Sequence, residues 1–301
     1  MELVQPMSRG PTLGGDGTSG IVALVSWPEE STRLLADAWL DRGIPAVLLS
    51  PAEASSMLGP EDTALVRLDV LPTLDGIEEG LDDVEELVRR GVRVLNSPAA
   101  VVRGHDKLRT ARCFVAARVP HPKTVHLPRE GAPPGLRPPL VVKPRFGSWG
   151  EDVFRCDDDH DLDAVLRTVR DRRWFHRHGA LLQQLVASNG RDIRLLVARS
   201  RVVGCIQRVA PPGQWRTNVS QGATRRPMTP TPEMCRLAIA AAAAVGADFL
   251  GVDLLPVAGG HVVIEVNGAV EFDSTYDLDG TDVYTELAKA LAVPQTALVR
   301  V

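Results

Sequence analysis

The chain has 301 residues, 44% of them hydrophobic, and a formal net charge of −4. That length suggests two or three domains with ample core. The acidic balance argues against a nucleic-acid binder, which would carry a basic stripe, and no run approaches the ~20 apolar residues of a membrane span.

Residues 1–20 are rich in Gly, Ser, Thr and Pro and lack the apolar stretch of a signal peptide, so they read as a disordered leader. Ile21–Ser26 predicts a strand. Leu34, Leu35, Ala38 and Trp39 share one face of a helix over Glu29–Arg42, ended by Gly43. Ile44–Leu49 and Ala64–Leu68 predict further strands, Gly76–Arg90 an acidic amphipathic helix, and Val92–Leu95 a fourth strand. This alternation predicts a small parallel sheet flanked by helices. The turn after the first strand, Ser26-Trp27-Pro28, has no Gly-x-Gly and so excludes a dinucleotide fingerprint.

The texture changes at Asn96-Ser97-Pro98. A helix is expected over Ala99–Ala117, then strands near Lys123–His126 and Leu140–Lys143 around a Pro/Gly-rich loop at 128–139. Next come a helix at Asp161–Val169 and a strand at Ala180–Leu185. His176 and His178, among arginines, read as polar side chains facing solvent. From Asp192 the signal is mostly β: Ile193–Ala198, Val202–Val209, then a polar loop to about Arg226. Pro232–Val245 is an Ala-rich helix, and Asp282–Leu291 the last helix. The four cysteines, Cys113, Cys156, Cys205 and Cys235, lack Cys-x-x-Cys spacing, which fits reduced thiols in a cytoplasmic protein better than a disulfide framework or zinc site.

The chemistry concentrates in two places. Between the last two helices, Phe249–Leu255 and His261–Asn267 flank a Gly-containing turn, a hairpin signal. With Asp253 opposite Glu265, Leu255 would face Val263 and Val257 would face His261 across a three-residue loop. Asn267 lies two residues beyond Glu265 on the same face. Three oxygen ligands would then converge, as hard cations such as Mg²⁺ or Mn²⁺ require; a solvent-facing stripe on an edge hairpin is the alternative. Removal of either acid is expected to spare the fold, on the view that the two repel each other. The second place is marked by lysine, which occurs only as Lys107, Lys123, Lys143 and Lys289 in an arginine-rich chain. Lys143 ends a short strand and precedes Arg145-Phe146-Gly147-Ser148-Trp149-Gly150. A compact ammonium with Gly147, Ser148 and free backbone N–H groups can surround phosphate oxygens, although the loop taken alone reads first as a plain turn.

In order and spacing, Asp106-Lys107, Val141-Val142-Lys143-Pro144, Gln183-Gln184-Leu185-Val186, Gly190-Arg191-Asp192-Ile193-Arg194, Trp215-Arg216-Thr217-Asn218, Gly251-Val252-Asp253 and Ile264-Glu265-Val266-Asn267 resemble the RimK/LysX branch of the ATP-grasp ligases. The resemblance implies an α/β and α+β chain. An N-terminal Rossmann-like, pre-ATP-grasp domain with a small parallel sheet (21–97) would precede a two-subdomain ATP-grasp fold, central at 98–185 and C-terminal, with the metal site, at 186–301. It also implies an ATP-dependent carboxylate–amine ligase that works through an acylphosphate and releases ADP and phosphate. In that frame Lys107 and Lys143 hold phosphates, and Gln184 and Leu185 meet adenine at the hinge. Asp192, Arg216, Thr217 and Asn218 lie near the nucleotide, with Arg208, Arg216 and Asn218 at the reacting carboxylate. Asp253, Glu265 and Asn267 hold two divalent ions, Mg²⁺ or Mn²⁺. The expected partners are a small amine or amino acid and a carboxylate acceptor, which can be a peptide, a carrier protein or a small molecule. Neither nucleic acid nor membrane is expected, and the chain is expected to form a homo-oligomer.

The sequence departs from the family pattern at Gln184, where Glu is common, at Gln221, where Arg is common, and at the small pair Gly268-Ala269 before Glu271-Phe272. Loss of Arg at 221 predicts that glutamate is not the preferred amine donor, unless Arg225 or Arg226 compensates. The competing functions are a nucleotide-binding interaction protein without turnover and a ligase joining two free amino acids.

Overall fold

A computed structural model describes residues 20–130 and 135–294. Apart from residue 20, the predicted leader lies outside them. The N-terminal unit comprises β1 (Val22–Val25), α1 (Glu30–Leu40), β2 (Ala46–Leu49), α2 (Pro51–Met57), β3 (Thr63–Val66), α3 (Leu81–Arg89) and β4 (Arg93–Leu95). Its strands are parallel, in the order β2-β1-β3-β4. Every residue of β1 and β3 is buried, as expected for a parallel sheet covered on both faces. Helix α2 is an addition to the predicted elements. Pro51 occupies its first turn, and Ser50 and Glu53 form a reciprocal capping box that satisfies its leading N–H groups. Helix α3 starts later than its apolar spacing suggested, because Gly80 precedes it in a left-handed conformation (φ 115°).

The helix predicted over 99–117 is two helices, α4 (Pro98–His105) and α5 (Lys107–Ala117). Asp106 separates them. Its extended backbone ends α4, while its carboxylate accepts from the N–H groups of Leu108 and Arg109 and caps α5. Arg145 locks Asp106 there through a two-pronged ion pair, Nε–Oδ1 2.7 Å.

Two antiparallel sheets follow. The central one contains β5 (Thr124–Leu127), β6 (Leu140–Pro144), β7 (Phe154–Cys156) and, after α6 (Asp159–Val169) and α7 (Arg173–His178), β8 (Ala180–Gln184), ordered β5-β8-β6-β7. The last contains β9 (Arg191–Ala198), β10 (Arg201–Val209), β11 (Thr224–Pro227) and, after α8 (Pro232–Val245), β12 (Phe249–Val257) and β13 (Gly260–Asn267), followed by α9 (Val283–Leu291). Its order is β11-β10-β9-β12-β13. The short elements β7, α7 and β11 were not legible as periodic runs. His178 does not simply face solvent: its ring contacts the Asp75 carbonyl at 2.8 Å and tethers α7 to the N-terminal unit.

One core joins the first and last sheets. Val22, Leu24 and Trp39 pack with Leu196, Phe249 and Leu287. Asn96 seals the junction: its amide donates to the Phe249 carbonyl (2.7 Å) and accepts from the N–H groups of Asp248 and Phe249. The central sheet has a separate core around Leu140, Val142, Trp174 and Leu182. The central and last sheets face each other across a cleft.

Candidate active site

The lysine wall comes from the central sheet. Alternation along β6 puts Lys143 on the cleft face beside Val141, which pairs with Gln183 of β8. Lys143 is 6% exposed, and its Nζ donates to Gln183 Oε1 at 2.8 Å. Gln183 Nε2 in turn donates to Thr124 Oγ1 at 2.8 Å. Burial, with a smaller push from Lys107 and against the pull of Glu265, lowers the Lys143 pKa to about 8. Gln183 is a site residue that the sequence reading passed over in favour of Gln184. The signal was available, since an amide amid the buried Ala180–Leu182 run needs a partner.

The carboxylate wall comes from the hairpin β12–β13. Asp253 does pair with Glu265, but a bulge follows. Beyond it Leu254 faces Val263, Leu255 faces Val262 and Val257 faces Gly260, so the predicted pairings toward the turn are one residue out. The turn has two residues, Ala258-Gly259, with Gly259 at φ 84°. A single extra residue shifts every pairing beyond it, and nothing in an apolar run marks where it falls.

Asp253 is fully buried. Arg194 grips both its oxygens at 2.6 Å, and Arg208 Nη2 donates to Oδ2 at 2.7 Å. Arg208 also forks to Asp192, with Nε–Oδ1 2.7 Å, and Thr217 Oγ1 donates to the same carboxylate. Burial alone would push the Asp253 carboxyl up. Arg194 and Arg208 outweigh it and hold Asp253 well below the usual carboxylate range. Glu265 accepts from Lys107 Nζ at 3.0 Å; its burial is outweighed by Lys107, which lowers its pKa. Asn267 Nδ2 lies 3.4 Å from Asp253 Oδ2. The expectation that the two acids merely repel is therefore replaced: Asp253 is held by Arg194 and Arg208, and Glu265 by Lys107.

Among the described residues no three His, Cys, Asp or Glu side chains gather as a metal cluster. The candidate set is two carboxylates and one amide, all oxygen donors on adjacent strands, which suits a hard cation rather than zinc.

Two loops close the cleft from opposite walls. Ser220 Oγ donates to the Trp149 carbonyl at 2.7 Å, and Arg216 Nη1 to the Gly150 carbonyl at 3.3 Å. Gly150 has φ 72°, and a Cβ there would come 2.5 Å from Asn218 Oδ1, so glycine permits this contact. The cleft spans about 850 Å³, counting the space that opens to solvent. It brings together Lys107, Lys143, Gly147 and Ser148; Gln184, Leu185 and Asp192; Arg208, Arg216, Thr217 and Asn218; and Asp253 and Glu265. Asn267 lines an adjoining chamber of about 570 Å³, shared with Ser148, Arg208 and Glu265. Gln221 lines neither chamber, although its neighbours Val219 and Ser220 line the second. Arg225 does reach that chamber, but Asp273 (2.9 Å) and Glu271 (3.6 Å) already neutralise it. Behind the chamber, Gly268 lies against the buried His105; a Cβ at 268 would come 2.8 Å from its Nε2.

Residues 126–291 match the model of the RimK-like ATP-grasp domain. The tetrahydromethanopterin:alpha-L-glutamate ligase of Methanosarcina acetivorans is 30% identical over 223 residues, 70% of this chain and 68% of that protein. The RimK domain ATP-grasp protein of Sphaerobacter thermophilus superposes with a TM-score of 0.63 at 24% identity, covering 90% of this chain and 98% of that one. The D-alanine–D-alanine ligase of Bacillus anthracis, in complex with ATP, superposes with a TM-score of 0.65 at 14% identity over 91% of this chain and 96% of that one.

Proposed function

Since the chain belongs to the RimK-like ATP-grasp family, we propose a division of labour among its own residues in an ATP-dependent carboxylate–amine ligase. The reaction class is amide formation through an acylphosphate, with release of ADP and phosphate. Phosphoryl transfer between anions needs charge neutralisation and positioning more than covalent help. ATP would lie between the subdomains at 98–185 and 186–301, its phosphates against Lys143 and Lys107 and its adenine against Gln184 and Leu185. Asp253, Glu265 and Asn267 would hold Mg²⁺ or Mn²⁺, which supplies positive charge to the phosphate oxygens when bound. Arg208, whose fork is held by Asp192 and Asp253, would offer positive charge rather than a free fork to the reacting carboxylate. Arg216 and Asn218 would bring the second loop to the same atoms. The carboxylate acceptor is a peptide, carrier protein or small molecule.

The observation that carries this reading is the pairing of opposite walls: a buried lysine beside Gln183 faces a buried aspartate and a partly buried glutamate across one cleft. Lys143→Ala tests it. Loss of one preorganised charge contact is expected to slow ADP release by about 10²-fold or more and to weaken ATP binding. Near-normal turnover by a folded Lys143→Ala protein would reduce Lys143 to the end of a strand. Lys107→Ala should be milder in turnover, because Lys143 still faces the phosphates.

A further inference from the structure

Behind the lysine wall, a run of hydrogen bonds leads from Lys143 to strand β13. Lys143 Nζ donates to Gln183 Oε1, its one hydrogen-bond partner among the described residues. At the other end of that amide, Gln183 Nε2 donates to Thr124 Oγ1 at 2.8 Å and points at His121 Nε2 at 3.4 Å. His121 Nε2 also lies 3.1 Å from the Thr124 hydroxyl. On its far side the His121 ring meets the Val263 carbonyl, 2.7 Å from Nδ1. The Val263 N–H donates to the Pro120 carbonyl at 2.9 Å, so both backbone groups of Val263 are tied to the segment that enters β5. Val263 lies two residues before Glu265. His121, Thr124, Gln183 and Lys143 line one small cavity together with Lys107 and Glu265.

The direction of this run is set from its β13 end. A carbonyl can only accept, so the His121 proton sits on Nδ1 and Nε2 is left as an acceptor. Burial lowers the His121 pKa to about 4, against the pull of the Val263 carbonyl and with a push from Lys143, so the ring stays neutral. The Phe114 ring meets the imidazole edge-on, 5.2 Å away, and limits its rotation. An acceptor at His121 Nε2 draws the NH₂ end of the Gln183 amide and thereby turns the oxygen toward Lys143. The opposite flip would set amide hydrogens against the ammonium and a carbonyl oxygen against the imidazole lone pair. Gln183 and Lys143 are both buried, so water does not stand in for a misplaced acceptor.

We propose that His121 is a positioning residue for Lys143: it sets the Gln183 amide, which aims the ammonium at the phosphates and fixes its place relative to the strand that carries Glu265. The proposal rests on the ligase reading. His121 touches neither nucleotide nor metal in this account and acts through Gln183 alone. The two ring nitrogens have separate tasks, Nδ1 holding β13 and Nε2 orienting the amide, and each can be removed without the other.

His121→Asn keeps a donor for the Val263 carbonyl but is too short to reach Gln183. His121→Gln reaches the position of Nε2 and gives up the Val263 bond. The test is titration calorimetry of the full chain with Mg²⁺ and a non-hydrolysable ATP analogue, with thermal melting as the check on folding. His121→Asn should weaken analogue binding about tenfold, the scale of one hydrogen bond to a charged group, and His121→Gln should recover most of that loss. In a Lys143→Ala background His121→Asn should cause no further loss, because its effect passes through the ammonium. If His121→Asn does not fold, Thr124→Val, which removes the hydroxyl between ring and amide, completes the same cycle with the same expected outcome. Unchanged binding by the folded variant, an equal loss in the Lys143→Ala background, or a loss in His121→Gln as large as in His121→Asn would overturn the proposal and leave His121 as a pin on β13. Wild-type protein that does not bind the analogue, or Lys143→Ala protein that binds it normally, would instead sink the ligase reading, and this proposal with it.

Discussion

At the scale of single residues, Lys143 makes the site sensitive to pH. Its folded pKa of about 8 lies below the ordinary lysine value of 10.5. Between those values the unfolded chain holds a proton that the folded one has lost. Lys143's contribution to stability therefore rises with pH across that window, and its burial cost is fully present below about pH 8. Phosphate binding works in the opposite sense, because it favours the charged ammonium. Nucleotide binding at pH 8–9 should take up a proton, visible as a dependence of the measured heat on the ionisation enthalpy of the buffer, and Lys143→Met should abolish that dependence. Asp253 carries a second consequence. Asp253→Asn weakens the partner of one buried and one partly buried guanidinium, so it should destabilise the fold by about 3–5 kcal/mol as well as stop turnover. An unchanged urea midpoint would show that water can replace the carboxylate. This cost was not legible in the sequence, where Arg194, Arg208 and Asp253 lie on strands whose alignment no local pattern specifies.

At the scale of elements, periodicity revealed what is long and one-sided. Helix α8 runs over Pro232–Val245 as its apolar spacing predicts, because Ala238, Ala241, Ala242 and Val245 recur on one buried face. It failed where a polar side chain overrides the pattern: Asp106 splits one apparent helix into two, and the Ser50/Glu53 box starts another inside an apparent loop. The two loops at 145–152 and 211–223 meet through Ser220–Trp149 and Arg216–Gly150. Both bonds reach backbone carbonyls and involve few atoms, so the contact should open readily in the free protein. Amide exchange in both loops should slow when Mg-ATP binds and excludes water from the acylphosphate site. Equal exchange with and without nucleotide would argue against closure.

At the scale of the whole molecule, the first and last sheets behave as one body because they share a core and the Asn96 clamp. Asn96→Ala removes acceptor and donor together and leaves buried backbone groups of Asp248 and Phe249 unsatisfied. A loss of about 2–3 kcal/mol is expected, with both sheets melting in a single transition; separate transitions would show that each stands alone. The small parallel N-terminal sheet and the family motifs were readable in the chain. The joint between the sheets was not, because Asn96 and Phe249 are 153 residues apart and a lone Asn before Ser97-Pro98 reads as a turn.

The close approach of Gly268 to His105 also limits how this chain can exchange parts with its relatives. A loop grafted after Asn267 with any side chain at 268 would collide with the imidazole, so the graft must bring a smaller residue at 105 with it. Positions 105 and 268 therefore have to be exchanged together, and a chimera that carries one without the other would press on the end of helix α4 behind the second chamber.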